Sequence, residues 1–137
     1  VDNGLRWHVR AFDRKSQSFR DFVLTRVSKV TLKSEPAANE LAEYDSEWHR
    51  MIPLQLVPHP KNVSFPTAIE MDYGMENSQL LINVRAAMAG YLLRRWNVDC
   101  TERGTLEGAE YQLWLQNRFT LRDVDNLAIA PGYAEPK

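Results

Sequence analysis

The chain is short of the residues from which most catalytic and metal sites are made. Its one cysteine, Cys100, has no partner for an internal disulfide, and no Cys-x-x-Cys or Cys/His spacing surrounds it. Its three histidines, His8, His49 and His59, sit in unrelated contexts, with no His-Glu-x-x-His helix and no deaminase signature. Glycine is sparse too: Gly104 and Gly108 stand too far apart for a phosphate-cradling loop. A Gly-x-Ser-x-Gly nucleophile elbow is also missing. No apolar run approaches the roughly 18 residues that cross a bilayer, and the opening residues carry no signal-peptide pattern. These absences turn expectation away from an enzyme, from a resident metal or cofactor and from a membrane. They favour a reducing, cytoplasmic setting.

What is present suits a packed protein. Hydrophobic residues make up 44% and charged residues 26% of 137 positions, enough for one ordinary domain or two very small ones. The first residue is Val1, so the sequence is expected to be a piece of a longer protein. Net charge is only −1, but it is unevenly spread. Residues 1–33 hold eight Lys/Arg against three Asp, a local +5, and the remainder carries −6. A chain that gripped duplex DNA along its whole length would be basic overall. A local cluster of this kind suits either a small anion or short single strand, or merely solvated strand and turn residues.

Periodicity outlines the elements. Residues 5–12 alternate, with Leu5, Trp7, Val9 and Ala11 expected on a buried face and Arg6, His8, Arg10 and Phe12 on the other. A polar turn at 13–17 and a second run over Phe19–Val30 complete a β-hairpin. After Pro36, residues 37–48 suggest a polar helix or ordered connector, with Glu40, Glu43 and Glu47 as a solvated face. From Met51 the expected order is strand, helix, strand, helix, strand, which predicts a small α+β sandwich. Its strands are 51–59, with prolines suggesting a sheet edge, then 79–85 and 111–116. Its helices are the second half of 60–73, closed by Gly74, and 86–97 with a stripe of Met88, Tyr91, Leu92 and Trp96. Arg94 and Arg95 fit that helix's C-terminal end as a charge pair, with a phosphate site as the alternative reading. Residues 119–137 are expected as a C-terminal tail, loosest from Ala130.

The hairpin carries the sharpest candidate chemistry. His8 and Arg10 project together on the first strand, and Arg20 and Arg26 share a face of the second if that strand is unbroken. Guanidinium forks grip phosphate or carboxylate, histidine adds a pH-responsive donor, and Phe12 and Phe22 offer stacking surfaces for bases. His8, Arg10, Arg20 and Arg26 are therefore the candidate ligand-binding residues. Periodicity leaves open which face each arginine takes.

Here the sequence resembles a known family. Gly4-Leu-Arg-Trp-His-Val-Arg-Ala-Phe12 with Phe19-Arg-Asp-Phe-Val-Leu-Thr-Arg-Val27 is similar to the second half of a WYL domain, the naming motif standing as Trp7-His8-Val9 with His8 in place of Tyr. Asp72-Tyr-Gly-Met75 and the 85–95 segment resemble the WCX extension of WYL regulators associated with phage defence. The resemblance spans roughly residues 4–116. It implies the strands of a partial Sm/SH3-like β-barrel over 1–34, a connector over 35–50 and a ferredoxin-like WCX extension over 51–118. It also implies a homodimeric transcriptional regulator that senses a nucleotide or single-stranded nucleic acid. Such a regulator binds DNA through a winged helix-turn-helix absent from this piece. A purely structural protein–protein interaction module is the alternative.

Overall fold

The computed structural model describes residues 1–134 and is a mixed α+β protein with two separate sheets. The first is the expected hairpin. β1 (His8–Asp13) pairs antiparallel with β2 (Ser18–Val23), in a register that sets Arg10 opposite Asp21 and Phe12 opposite Phe19. Asp13 closes the turn by accepting from the Lys15 amide and the Ser16 hydroxyl. β2 stops short of the expected Val30, because Leu24–Arg26 tightens into a 3-10 turn and residues 27–37 carry no helix or strand. Among the described residues the two strands close into no barrel.

The hairpin is docked with the opposite face to the one expected. His8 is buried and Arg10 largely so, whereas Leu5, Trp7 and Val9 are exposed. Alternation distinguishes the two faces of a strand but not which one meets the rest of the chain. The polar face finds matching partners on the connector and on a helix, so it turns inward. The apolar face meets none of the described residues that would cover it.

The connector forms short pieces and no continuous helix: 3-10 turns at Ala38–Glu40 and Ala42–Tyr44, then α1 (Ser46–His49). Glu40 fastens it to the hairpin turn through a two-pronged pair with Arg14, both contacts at 2.6 Å. Asp45 caps α1 by accepting from the Trp48 amide at 3.2 Å.

The second sheet holds the core. Its strands are β3 (Met51–Pro58), β4 (Leu80–Arg85), β5 (Val98–Asp99) and β6 (Leu113–Leu115), in the order β4-β3-β6-β5, with only the β5–β6 pair parallel. Ile52, Leu54 and Leu56 project from β3 and Leu113 and Leu115 from β6. They pack against α2 (Pro66–Asp72) through Ile69 and α3 (Ala86–Arg95) through Ala86, Ala89 and Leu93. Pro66 opens α2 at its first turn, and Gly74, at φ +60, follows its end.

The prolines of β3 do not mark an edge, since β3 is central. Gln55 directs its N–H and C=O to the β6 side, where they meet the Asn117 side chain and the Gln116 amide. Pro53 lies two residues away and points the same way, but β6 pairs only with Leu56–Pro58. The missing N–H of Pro53 therefore falls where no strand needs it, and the Asn117 side-chain amide donates to its carbonyl at 3.0 Å.

The segment expected as a tail belongs to the core as far as it is described. Residues 118–121 and 127–129 form 3-10 turns, and Leu121, Val124, Leu127 and Ala130 are buried. Residues 127–129 lie on α3 and 118–121 against β3. The innermost stripe of α3 is Ala86, Ala89, Gly90 and Leu93, and the larger Met88, Tyr91, Leu92 and Trp96 of the expected stripe are only half-buried. Small residues win the inner position because a second backbone comes close: the Gly90 amide donates to Asn126 Oδ1 at 3.1 Å. The last three residues of the expected tail lie outside the described residues.

Candidate regulatory site

Arg10 is the centre of the hairpin's inward face. Its Nε and Nη2 meet the two Asp45 oxygens at 2.5 and 2.9 Å, and its Nη1 reaches Asp21 at 3.3 Å. Burial works against the Arg10 charge, but the hydrogen bond and charge of Asp45, with those of Asp21, outweigh it and hold the guanidinium above its ordinary value. The other Asp21 oxygen accepts from the Tyr91 hydroxyl at 2.9 Å. Burial, then the hydrogen bond and charge of Asp21, push the Tyr91 phenol up to about 12. One chain of contacts thus joins connector, hairpin and α3: Asp45, Arg10, Asp21, Tyr91.

His8 lies beside this chain, its ring 5.3 Å from that of Tyr91, with a buried Nδ1 that has no hydrogen-bond partner. His8 and Arg10 border a cavity of about 360 Å³, walled on its apolar side by Phe19 and Trp48. Two of the four candidate residues are therefore brought together. The other two are not. Arg20 stands opposite Ala11, on the outer face, and pairs loosely with Asp13 at 3.6 Å. Arg26 lies in the 3-10 turn that ends β2, which removes it from any shared face with Arg20. Phe12 and Phe22 likewise take opposite faces, and Phe12 packs edge-on against Phe19 at 5.2 Å.

A buried pair escaped the sequence reading. His59 Nδ1 accepts from the Lys61 and Asn62 amides, so Nε2 carries the proton and donates to Asp99 at 3.0 Å. Asp99 also accepts from the Thr101 and Leu106 amides. Forty residues separate the partners, and only the fold joins them. The pair is fully buried, and the neighbouring Cys100 thiol is pushed up to about 12 by burial and then by the Asp99 charge. This is a structural clasp with no reachable nucleophile beside it. Among the described residues no group of His, Cys, Asp and Glu is arranged to hold a metal ion.

Comparison with known proteins follows this architecture. Residues 51–121 match the family described as the BrxR transcriptional regulator, C-terminal dimerization domain. The chain is 34% identical over 125 residues to the DNA-binding transcriptional repressor CapW of Pseudomonas aeruginosa, covering 90% of this chain and 41% of that protein. A CapW repressor of Escherichia coli strain KTE188 is 33% identical over 119 residues, 86% of this chain and 39% of its own length. A third, from Stenotrophomonas maltophilia, is 34% identical over 100 residues, covering 71% and 32%. The chain thus spans about two-fifths or less of the curated relatives it matches. The class so defined is the C-terminal part of a WYL-type transcriptional regulator, a dimerization domain and not an enzyme. Within that class, the chain belongs to the BrxR transcriptional-regulator family, through its C-terminal dimerization domain.

Proposed function

We propose that the chain is the dimerising and signal-receiving end of a longer cytoplasmic repressor of the phage-defence type, which binds its operator through a separate DNA-binding domain. The observation that carries this reading is the match of residues 51–121 to a dimerization domain, contiguous with a WYL-like hairpin. In this reading residues 1–34 complete a WYL barrel of Sm/SH3-like form, 35–50 connect, and 51–118 form a ferredoxin-like extension. Two helices on one face of a four-stranded sheet support the last assignment. The uncovered Leu5, Trp7 and Val9 support the first, since an apolar hairpin face needs further strands.

The signal is a nucleotide or short single strand, and His8, with its unmet Nδ1, is the hairpin residue best placed to receive it. One observation favours the plainer reading of a structural interaction module: Arg10 is already held by Asp45 and Asp21, and so has little charge left for a ligand. Sedimentation of the chain across a concentration series tests the dimer, expected at twice 15.9 kDa. Operator binding by the longer protein, measured with and without mononucleotides and short oligonucleotides, tests the signal. A monomer at every concentration rejects the dimerising role. Operator binding indifferent to every such probe leaves only the structural module.

A further inference from the structure

A second concavity, of about 380 Å³, lies where the loop before β1 meets the C-terminal end of α3. Arg6 enters it from the loop and Arg94 and Arg95 from the last helical turn, with Asn3, Tyr91 and Asn97 between them. Arg10, Arg14, Arg20 and Arg50 all have carboxylate partners. Arg6, Arg94 and Arg95 have none among the described residues. The loop is not slack. Asn3 Oδ1 accepts from the Leu5 and Arg6 amides at 3.0 and 2.8 Å, and Asp2, its acidic member, accepts from the Gly4 amide. Gly4 stands at φ +85, and a Cβ there would come within 3.1 Å of Arg95 Nε, so glycine is what lets that guanidinium lie against the backbone.

A helix end accounts for Arg94 and Arg95, whose charges favour the terminal carbonyls. It does not account for Arg6, delivered to the same hollow from the loop before β1. Three like charges gathered around one cavity repel each other unless an anion sits among them. We propose that this junction binds the phosphate group of the signal. Guanidinium forks match phosphate oxygens in pairs, and three of them suit a dianion, whereas a lone carboxylate would leave most of the charge unmet. The site deepens the regulatory reading and rests on it for the kind of signal. Its position has a consequence: Tyr91, on its wall, donates to Asp21, so an occupant bears on the contact that holds the hairpin to α3.

The test is titration of the chain, by calorimetry at low and moderate salt, with inorganic phosphate, AMP, adenosine, and a tetranucleotide with and without a 5′-phosphate. Saturable binding of AMP and the 5′-phosphorylated tetranucleotide is expected, weakening as salt rises, with adenosine silent. A preference for AMP identifies a free nucleotide as the source, and a preference for the tetranucleotide a strand end. R94Q, R95Q and R6Q should each weaken binding about tenfold, and R103Q, which removes an exposed cation elsewhere, should not. Circular dichroism confirms that each variant folds. No saturable binding, equal binding of adenosine, or equal losses for R103Q and R94Q overturns the proposal. If the chain binds phosphate while operator binding by the longer protein ignores it, the site stands and the regulatory reading falls. If operator release survives in the R94Q/R95Q protein, this site is wrong and the regulatory reading stands.

Discussion

Arg10 holds Asp45 by two parallel contacts across 35 residues of chain, and this pair seats the hairpin on the connector. The Arg10 side chain is only 11% exposed and that of Asp45 only 5%, so neither partner is well solvated. Removing the cation leaves two carboxylates facing each other with nothing between them. Arg10→Ala should cost about 3 kcal/mol, the usual loss when one member of a buried pair is deleted. Urea unfolding gives the magnitude, and hydrogen exchange over residues 8–23 should show the hairpin losing protection first. A loss below half a kilocalorie, with hairpin protection intact, would mean the seat lies elsewhere.

Tyr91→Phe isolates the other end of the same chain of contacts, because it removes one hydroxyl and almost no volume. The lost bond to Asp21 should cost about 1–2 kcal/mol near neutral pH, toward the upper end because the acceptor is charged. The pH dependence has a definite sign. The phenol ionises at its ordinary value near 10 when unfolded, but only at about 12 when folded. Between those values the folded state holds a proton that the unfolded state has released, so stability present below pH 10 is lost as pH rises toward 12. Denaturation midpoints measured across that window should fall more steeply for the natural chain than for Tyr91→Phe. Parallel curves would remove Tyr91 from the account.

The sequence made the α+β core legible and the hairpin only half so. Leu80, Ile82 and Val84 alternate and do face the core, and Gly74 does follow a helix, because periodicity and glycine conformation are local properties. The face of β1 was not local. It is decided by Asp45 and Tyr91, which approach from far along the chain and give the polar side the better partners. The same holds for His59 and Asp99, and for Arg6 beside Arg95. In the sequence Gly90 is just one small residue in a helix, although it is where a second backbone touches down. The 3-10 turn at Leu24–Arg26 also hid behind residues of strand type, and it takes Arg26 off the strand face of Arg20.

Asp99 should dominate the acid limb of stability. Burial alone would raise its value, but hydrogen bonds from Thr101, Leu106 and His59 more than offset this and hold the carboxyl below the ordinary 3.8. Unfolded chains therefore take up this proton first, and the stability present above pH 3.8 is lost as pH falls through the lower, folded value. In Asp99→Asn one oxygen becomes an NH2 group facing a donor, since both oxygens now accept. A loss of about 2–3 kcal/mol at neutral pH is expected, together with a flatter acid limb. Guanidinium titrations between pH 3 and 7 check both; an unchanged acid slope rules Asp99 out as its source.

Gly90→Ala sets two effects of opposite sign against each other. In an open helix, alanine would stabilise by about 1 kcal/mol over glycine. At this position the new Cβ would collide with the Asn126 carbonyl and stand 3.0 Å from Ile129 Cγ1, on a segment whose Leu127 and Ala130 are part of the core. Asn126 cannot yield without breaking its bonds to the Gly90 amide and the Ala87 carbonyl. Overpacking of this kind costs about 1–3 kcal/mol, and with the lost hydrogen bonds it should outweigh the helical gain, leaving a net loss of about 1–2 kcal/mol. The damage should be local, so trypsin should cut after the exposed Arg122 faster in the variant than in the natural chain. A more stable Gly90→Ala protein with unchanged cleavage would show that the C-terminal segment does not rest on α3 at all.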